Sequence, residues 1–455
     1  MIKNTTICAI STATGSGGIA VIRVSGNKAF AICDKIFRAK TKNKTISKQQ
    51  AYTIQFGEII DNNEIVDEVL ISVFKNPNSY TGEDTVEISC HGSVYIQQKI
   101  LELLIKNGVE LAKAGEFTQR AFFNGKLDLA QAEGVADLIA SETKASHKLA
   151  MQQMKGGFSE RLNNLRDLLI HFVSLIELEN DFAEEDVQFA DRKQLNGIID
   201  DVDVLITDLI KSFSYGNAIK NGVPVAIVGR PNAGKSTLLN ALLDDDRAIV
   251  SEIPGTTRDT IEELLNINGI QFRFIDTAGL RKTSDDIEKI GVAKAIEKVF
   301  KSSIYIYLFD INKLSVKDIE EDLKELNNDI PRLIVANKTD LVNKDKISSF
   351  AKNNCYFISA KKNESVELIK EALFDNINKN INVSNILVSN TRHYEALLKT
   401  QKSIHETKDG IQNEMPSDLI ALDIRNAINS IGEITGEISN DEVLGNIFSR
   451  FCIGK

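Results

Sequence analysis

The sequence lacks the features that mark a secreted, zinc-bound or membrane-spanning protein. Its five cysteines are scattered and form no C-x-x-C pair, which argues against a zinc site or a disulfide framework and for a reducing compartment. No apolar run approaches the roughly 20 residues that span a bilayer. The amino-terminal stretch MIKNTTICAISTATGSGG has no hydrophobic signal-peptide core. We therefore expect a cytoplasmic protein with no membrane segment.

Positive charge is also in short supply. The chain has 54 Lys and Arg against 64 Asp and Glu, a formal net charge of −10, so as a whole it should repel nucleic acid. An RNA partner must then meet a local basic patch or be held by a second protein. The length of 455 residues suggests roughly two to four domains.

What the sequence does contain is a phosphate-binding motif at residues 229–237, GRPNAGKST. A buried strand is predicted just before it at 223–228, and a helix just after it at 238–243. Glycines let backbone N–H groups approach a phosphate, and the helix N-terminus adds partial positive charge. We expect Lys235 to reach the β- and γ-phosphates and Ser236 to bind Mg²⁺.

Four further segments follow in the order found in GTPases. Residues 271–279 predict a strand that ends in D-T-A-G, and residues 333–340 predict a strand that ends in N-K-x-D. The Asp340 carboxylate can accept N1–H and the 2-amino group of guanine, which adenine does not offer. Residues 251–259 hold a threonine that binds Mg²⁺ only when the γ-phosphate is present, and residues 357–361 supply a last base-contacting loop. The five segments together predict a guanine-specific GTPase domain.

The predicted nucleotide contacts fall in four groups. They are the phosphate loop (Asn232, Ala233, Gly234, Lys235, Ser236, Thr237), the switch segment (Ser251, Glu252, Ile253, Pro254, Gly255, Thr256, Thr257), the D-T-A-G turn (Asp276, Thr277, Ala278, Gly279) and the base loops (Asn337, Lys338, Asp340, Ser359, Ala360, Lys361).

Two positions differ from Ras-like GTPases. Leu280 follows D-T-A-G where those proteins carry a water-orienting glutamine, and a leucine cannot position water, so another group must, such as the nearby acidic stretch 285–288. Asn232 resembles the potassium-binding residue of cation-dependent GTPases, in which the ion neutralises charge between the phosphates. Arg258 and Arg281 are alternative cis-acting arginines, or they simply face solvent.

The rest of the chain predicts a multidomain α/β and α protein. Strands at 19–24, 68–73 and 85–89 and a helix at 98–106 indicate an α+β block. By alternation Glu87 points away from the core, for which solvent exposure is a sufficient account. Long amphipathic helices follow and return near the end of the chain, which predicts that the GTPase block is inserted into one discontinuous helical domain. The predicted segments are 1–125 (amino-terminal α+β domain), 126–218 (helical), 219–380 (P-loop GTPase) and 381–455 (helical).

Motifs outside the GTPase block carry a family resemblance. They are YTGED at 80–84 followed by His91 and Gly92, GKLDLAQAE at 125–133, and FCIGK at 451–455. With the GTPase block, they resemble the MnmE (TrmE) family of tRNA uridine-modification GTPases over essentially the whole chain. The resemblance implies a folate-binding amino-terminal domain through which the protein forms a homodimer.

The resemblance also implies a reaction and partners. Together with the FAD protein MnmG, in a heterotetramer, such a protein adds an aminomethyl or carboxymethylaminomethyl group to C5 of the wobble uridine, U34, of certain tRNAs. The inputs are 5-formyltetrahydrofolate or another one-carbon tetrahydrofolate, glycine or ammonium, and GTP with K⁺ and Mg²⁺. Because the chain is acidic, we expect tRNA to be held mainly through MnmG.

Site residues follow from the same resemblance. The implied folate contacts are Arg23, Glu87, Lys126 and Lys455. The implied K⁺ ligands are Asn232, Ser251, Ile253 (through its carbonyl) and Thr256, and the implied Mg²⁺ ligands are Ser236 and Thr257. Glu288 corresponds to the residue that orients water indirectly. Cys452 corresponds to a cysteine needed for tRNA modification, although burial as a small apolar residue accounts for it equally well.

Two other functions remain open from the sequence. A ribosome-assembly or RNA-binding switch GTPase would carry a basic carboxy-terminal RNA module, whereas the helical region here is acidic. A scaffold GTPase acting on membranes would need a basic amphipathic helix, and none is evident in the sequence.

Overall fold

The computed structural model describes residues 5–41, 44–181, 192–243, 262–275, 296–326, 330–350, 354–381, 387–438, 441–449 and 451–455. The chain divides into two compact units. The first unit consists of Met1–Ala136, Gln153–Asp167 and Ile428–Lys455, and the second of Asp137–Gln152 and Leu168–Ala427. The four segments predicted from the sequence remain a prediction.

The first unit contains a seven-stranded sheet in the order β3-β4-β5-β6-β2-β1-β7. Neighbouring strands are antiparallel, except for the parallel pair β1 and β7. The predicted strands at 19–24, 68–73 and 85–89 are confirmed as parts of β2, β5 and β6. The strands are β1 (Ile7–Ile10), β2 (Gly17–Ser25), β3 (Phe37–Ala39), β4 (Thr53–Asp61), β5 (Glu64–Phe74), β6 (Thr85–Gly92) and β7 (Glu110–Leu111).

One face of this sheet is the core of the first unit. Alternate residues of the central strands, such as Ile22, Ile71 and Ile88, are fully buried, as expected for a strand with one apolar face. They form one cluster with buried residues of helices α1 (Ala29–Ile36) and α2 (Val94–Lys106). The predicted helix at 98–106 is confirmed and begins four residues earlier, at Val94.

A helical region follows the sheet. Apolar residues three to four apart, such as Leu162, Leu165, Leu169 and Phe172, are buried, which confirms the predicted amphipathic pattern. None of the described helices is long and apolar enough to cross a membrane. The helices are α3 (Glu116–Phe123), α4 (Leu129–Ala140), α5 (Lys144–Met154), α6 (Gly157–Asp181) and α7 (Arg192–Asn221).

The second unit contains a six-stranded sheet in the order β13-β12-β11-β8-β10-β9. All neighbours are parallel except β9 and β10, which form a hairpin. The strands are β8 (Val223–Val228), β9 (Glu263–Ile267), β10 (Ile270–Phe274), β11 (Ile304–Asp310), β12 (Arg332–Asn337) and β13 (Cys355–Phe357), with helices α8 (Lys235–Leu243), α9 (Val316–Glu325), α10 (Lys344–Phe350) and α11 (Glu367–Ile381). Parallel strands end at the same edge, so the loops after β8 and β12 meet there.

Three helices close the chain: α12 (Thr391–Gln412), α13 (Ser417–Thr435) and α14 (Asp441–Phe448). The predicted helix start near residue 390 is confirmed, since the Asn390 side chain accepts a hydrogen bond from the Arg392 backbone N–H at 3.0 Å. An asparagine in this position satisfies one of the free donors of the first turn.

Candidate functional site

The phosphate loop joins β8 to α8, and two of its residues must be glycine. Gly229 and Gly234 have φ values of +145° and +97°, a region that favours glycine. A Cβ on Gly229 would lie 2.0 Å from the Leu308 carbonyl oxygen, and one on Gly234 would lie 2.4 Å from Asn337 Nδ2. The loop therefore lies directly on β11 and on the base-recognition motif after β12.

Two hydrogen-bonded side chains connect the phosphate loop to the base-recognition motif. Asn337, only 2% exposed, donates from Nδ2 to the Ala233 carbonyl at 2.8 Å and accepts at Oδ1 from the Ala360 N–H at 3.0 Å. Lys338 Nζ donates to the Asn232 carbonyl at 2.8 Å and pairs with Asp310 at 2.7 Å. Three of the predicted segments are thus joined into one site.

Asp340 is oriented for a base. Ser359, fully buried, donates from Oγ to Asp340 Oδ1 at 2.8 Å, while among the described residues none donates to Oδ2. The half-buried carboxylate keeps acceptor capacity for two adjacent N–H donors, which is the pattern that guanine presents. Lys361 lies in the same loop and is exposed.

Lys235 lies across its own loop. Its ammonium donates to the carbonyls of Gly229 at 2.8 Å and Arg230 at 3.0 Å. Burial lowers the pKa of Lys235, and the charge of Lys298 lowers it further. A polyphosphate in the loop would offer this half-buried cation anionic acceptors in place of neutral carbonyls. Ser236 is half-buried beside it.

Most of the predicted switch and metal residues lie outside the described residues. These are Ser251, Glu252, Ile253, Pro254, Gly255, Thr256, Thr257, Arg258, Asp276, Thr277, Ala278, Gly279, Leu280, Arg281 and Glu288. Of the predicted ligands, only Asn232 for K⁺ and Ser236 for Mg²⁺ are described. No group of three His, Cys, Asp or Glu side chains that could hold a metal occurs in the described part of the chain. Both ion sites therefore stay predictions.

A second cluster of predicted residues forms in the first unit. Arg23 on β2 lies opposite Glu87 on β6 in the strand register, and its Nε and NH2 atoms both lie 2.9 Å from Glu87 Oε1. The Arg23 guanidinium carbon is 5.2 Å from the centre of the Tyr80 ring and 5.6 Å from that of Phe117. The expectation that Glu87 simply faces solvent is wrong, because its side chain is 26% exposed and paired.

The last residues of the chain return to this cluster. Ile453 forms an antiparallel bridge with Ala114, and the Gly454 carbonyl accepts a hydrogen bond from Ser11 Oγ at 3.0 Å. Burial and then the charge of Arg23 lower the pKa of Lys455. Cys452 is exposed, so the alternative that it is a buried apolar residue is wrong.

Lys126 completes the predicted set. Its Nζ donates to the Pro77 carbonyl at 3.1 Å, in the loop that leads to Tyr80. Among the described residues, neither Lys126 nor Lys455 has a carboxylate partner. The cluster therefore has excess positive charge and suits an acidic ligand.

Sequence analysis missed the residues that support this cluster. Arg120 is 1% exposed and pairs with Glu83 at 3.2 Å and Glu116 at 2.9 Å. Tyr80 OH lies 2.8 Å from Thr118 Oγ1. The available indication was an arginine directly before the apolar residues Ala121, Phe122 and Phe123 of α3, because a charge buried there needs partners.

Comparisons with known proteins identify one family. Residues 6–126 match the family described as GTP-binding protein TrmE N-terminus, and residues 129–452 match the family described as MnmE helical domain. The chain is similar over its full length to the tRNA modification GTPase MnmE of Flavobacterium johnsoniae, at 52% identity over 467 residues covering 100% of both chains. The protein of the same name from Bacteroides thetaiotaomicron is 49% identical, covering 99% of each chain.

Solved structures match over a smaller part. A structure of Era with MgGDPNP and nucleotides 1506–1542 of 16S ribosomal RNA is 24% identical and covers 40% of this chain and 66% of its own, with a TM-score of 0.27. The FeoB G-domain of Methanococcus jannaschii is also 24% identical and covers 34% of this chain and 98% of its own, with a TM-score of 0.24.

Proposed function

This chain belongs to the MnmE (TrmE) family of tRNA modification GTPases, and we propose that it is a potassium-dependent GTPase that acts with MnmG on C5 of the wobble uridine of certain tRNAs. The observation that carries the nucleotide part is the joining of the phosphate loop to the base motif through Asn337 and Lys338. The full-length relatives, which are named tRNA modification GTPases, support the tRNA part of the proposal. They give no support to the alternative of a ribosome-assembly GTPase.

Guanine selection is assigned to Asp340. Ser359 holds one carboxylate oxygen, and guanine N1–H and its 2-amino group supply the donors that the carboxylate needs. Adenine would leave a half-buried carboxylate unpaired, which costs about 1–3 kcal/mol or more for a charged group. Mg²⁺ would be held by Ser236 and Thr257, with Asp276 acting through water, and supplies charge neutralisation between the β- and γ-phosphates.

A potassium ion fits the one described residue of its predicted site. Asn232 has a φ of +62°, a left-handed conformation that asparagine tolerates. Its backbone carbonyl accepts a hydrogen bond from Lys338, and its exposed side chain carries the amide oxygen that would bind the cation. The other proposed ligands are Ser251, Ile253 and Thr256, with Glu288 orienting water indirectly.

The potassium proposal is tested by changing the cation. Initial rates of GTP hydrolysis should be at least roughly tenfold higher in K⁺ than in Na⁺ at equal ionic strength, because no glutamine follows D-T-A-G and charge neutralisation falls to the ion. Equal turnover in the two salts would contradict it.

The cluster of Arg23, Glu87, Lys126 and Lys455 is proposed to bind a one-carbon tetrahydrofolate. The pterin ring presents N3–H and a 2-amino group, the same pair of adjacent donors that guanine presents with N1–H and its 2-amino group. Glu87 Oε2 accepts no hydrogen bond from the described residues. The ammonium groups of Lys126 and Lys455 suit the glutamyl carboxylates. Cys452, exposed in the adjoining segment, is the proposed residue for the tRNA-modifying step.

The tRNA role is tested in cells. Mass spectrometry of wobble nucleosides should show loss of the C5 aminomethyl-type group when the gene is removed and its return with the wild-type gene. Unchanged nucleosides would refute the proposal.

The protein is proposed to act as a homodimer, with tRNA held mainly through MnmG because of the −10 net charge. Tight, salt-sensitive tRNA binding by the isolated protein would count against that division of roles.

A further inference from the structure

Helix α3 packs consecutive side chains against the amino-terminal site. Phe117 and Thr118 are both fully buried. The Phe117 ring lies 5.6 Å from the Arg23 guanidinium carbon, and Thr118 Oγ1 lies 2.8 Å from Tyr80 OH. The helix thus contacts Arg23 directly through one residue and indirectly, by way of Tyr80, through the next.

The Arg23 guanidinium is held from several sides. Its Nε and NH2 atoms pair with Glu87 Oε1 at 2.9 Å. The Tyr80 and Phe117 rings lie within the distance, about 6 Å, at which a cation is attracted to an aromatic face. The orientation of Arg23 therefore depends on the positions of these two rings. The position of Phe117 is fixed because it belongs to α3 and its side chain is fully buried.

Tyr80 lies in a loop, so its ring needs a separate restraint. The hydrogen bond to Thr118 is the polar contact that its side chain makes among the described residues. Burial raises the pKa of Tyr80, so the hydroxyl keeps its proton at neutral pH. The loop after Tyr80 is anchored at Thr81, whose Oγ1 lies 2.7 Å from Ser25 Oγ, and at Glu83, which pairs with Arg120.

We propose that Thr118 is a positioning residue of the amino-terminal site. Its hydroxyl holds the Tyr80 ring against Arg23, and this contact sets the direction in which Arg23 and Glu87 present hydrogen-bonding atoms to a planar heterocycle of the pterin class. The proposal rests on the proposed function, in which this site takes a reduced folate.

The test measures binding of 5-formyltetrahydrofolate to the full-length protein by titration calorimetry. Thr118→Val and Tyr80→Phe each remove one end of the hydrogen bond and should raise Kd three- to tenfold. The Kd of the double variant should not exceed the higher of the two single-variant Kd values, because both changes remove the same interaction. Thr118→Ser restores a hydroxyl and should stay within twofold of wild type.

Tyr52→Phe provides the matched control. Tyr52 belongs to the same unit and is 68% exposed, so loss of its hydroxyl should leave Kd unchanged. Thermal unfolding of every variant separates a lost contact from lost folding. If Thr118→Val does not fold, Tyr80→Phe, which keeps the ring, carries the test.

The outcomes separate the two proposals. Absence of any reduced-folate binding by the wild-type protein overturns the proposed function of the site. Binding by wild type that is unchanged in Thr118→Val and Tyr80→Phe overturns the positioning role alone. A double variant whose loss equals the product of the two single losses also overturns it, since the hydroxyls would then act separately.

Discussion

The nucleotide site in the second unit and the cluster in the first unit are assembled from the chain in different ways. The nucleotide residues come from short runs, 229–237, 337–340 and 359–361, that follow parallel strands ending at one sheet edge. Arg23 and Glu87 are 64 residues apart, and Lys455 comes from the last segment. The first arrangement leaves a contiguous motif in the sequence, and the second leaves isolated charged residues.

The two sites also share a feature of chemistry. Each places a carboxylate, Asp340 or Glu87, with one oxygen bonded to a neighbouring side chain. Each carboxylate is proposed to accept hydrogen bonds from a ring N–H and the adjacent 2-amino group of its ligand. The difference lies in the rest of the ligand: backbone N–H groups and Lys235 suit a polyphosphate, whereas Lys126 and Lys455 suit carboxylates. Substitutions in one site should therefore leave the other ligand's affinity unchanged.

The largest expected effect comes from Gly234→Ala. The new Cβ would lie 2.4 Å from Asn337 Nδ2 at a φ of +97°, so the residue would be strained and the bond from Asn337 to Ala233 disrupted. We expect a loss of GTP affinity of about 2–4 kcal/mol, measured by calorimetry, with reduced-folate binding unchanged. Gly197→Ala is the control, because nothing lies within 4 Å of a Cβ there. Retained GTP affinity would contradict the account of the loop.

Gly454→Ala makes the reciprocal change in the first unit. Its Cβ would lie 2.2 Å from the Ile10 carbonyl oxygen at a φ of +100°, which should displace the last residues and separate Lys455 from Arg23. Reduced-folate affinity should fall by about 1.5–3 kcal/mol, the range for loss of a hydrogen bond to a charged group. GTP hydrolysis should not change.

Gly445→Ala is the matched control for that change, since Gly445 has open space around a Cβ. An effect of Gly454→Ala on GTP hydrolysis with no effect on folate affinity would break the proposed separation of the two sites.

The smallest effect is the pH dependence of folate binding. The pKa of Lys455 lies below the usual 10.5, so its ammonium loses its proton at lower pH than a free lysine does. Affinity for an acidic ligand should fall a few-fold as pH rises through that pKa. Because the pKa of Lys455 is lower in the folded than in the unfolded protein, the unfolded chain binds more protons between the two pKa values. The contribution of this group to the free energy of unfolding therefore rises as pH rises through that range.

Lys455→Arg sharpens this prediction because arginine keeps its charge throughout. Its Kd, measured from neutral to alkaline pH, should stay flat where that of wild type rises. Parallel pH profiles for the two proteins would show that Lys455 does not contact the ligand's anionic groups.

Most of the fold could be predicted from periodicity. The predicted strand at 223–228 is confirmed as β8, and the long amphipathic helices are confirmed as α6 and α7. The sequence analysis did not identify β11, although all seven of its residues are buried. A central parallel strand is apolar on both faces, so its sequence is a continuous run of apolar residues without alternation. A short buried helix gives the same kind of run, and periodicity alone does not distinguish the two.

The sites divide in the same way. The phosphate loop was predicted from spacing alone, and its glycines adopt the required conformations. The roles of Tyr80, Thr118 and Arg120 could not be predicted, because each depends on a partner brought near by the β2–β6 pairing and by α3. Asp310 was missed for the same reason: only the fold places it 2.7 Å from Lys338.

The most direct test exchanges the base specificity of one site while monitoring the other. Asp340→Asn reverses the hydrogen-bond polarity of the base contact. It should weaken GTP binding by a few kcal/mol and allow xanthosine triphosphate to bind. The affinity for 5-formyltetrahydrofolate should equal that of wild type. Retained preference for GTP, or equal losses for GTP and the folate, would contradict the account of two sites that each use one carboxylate.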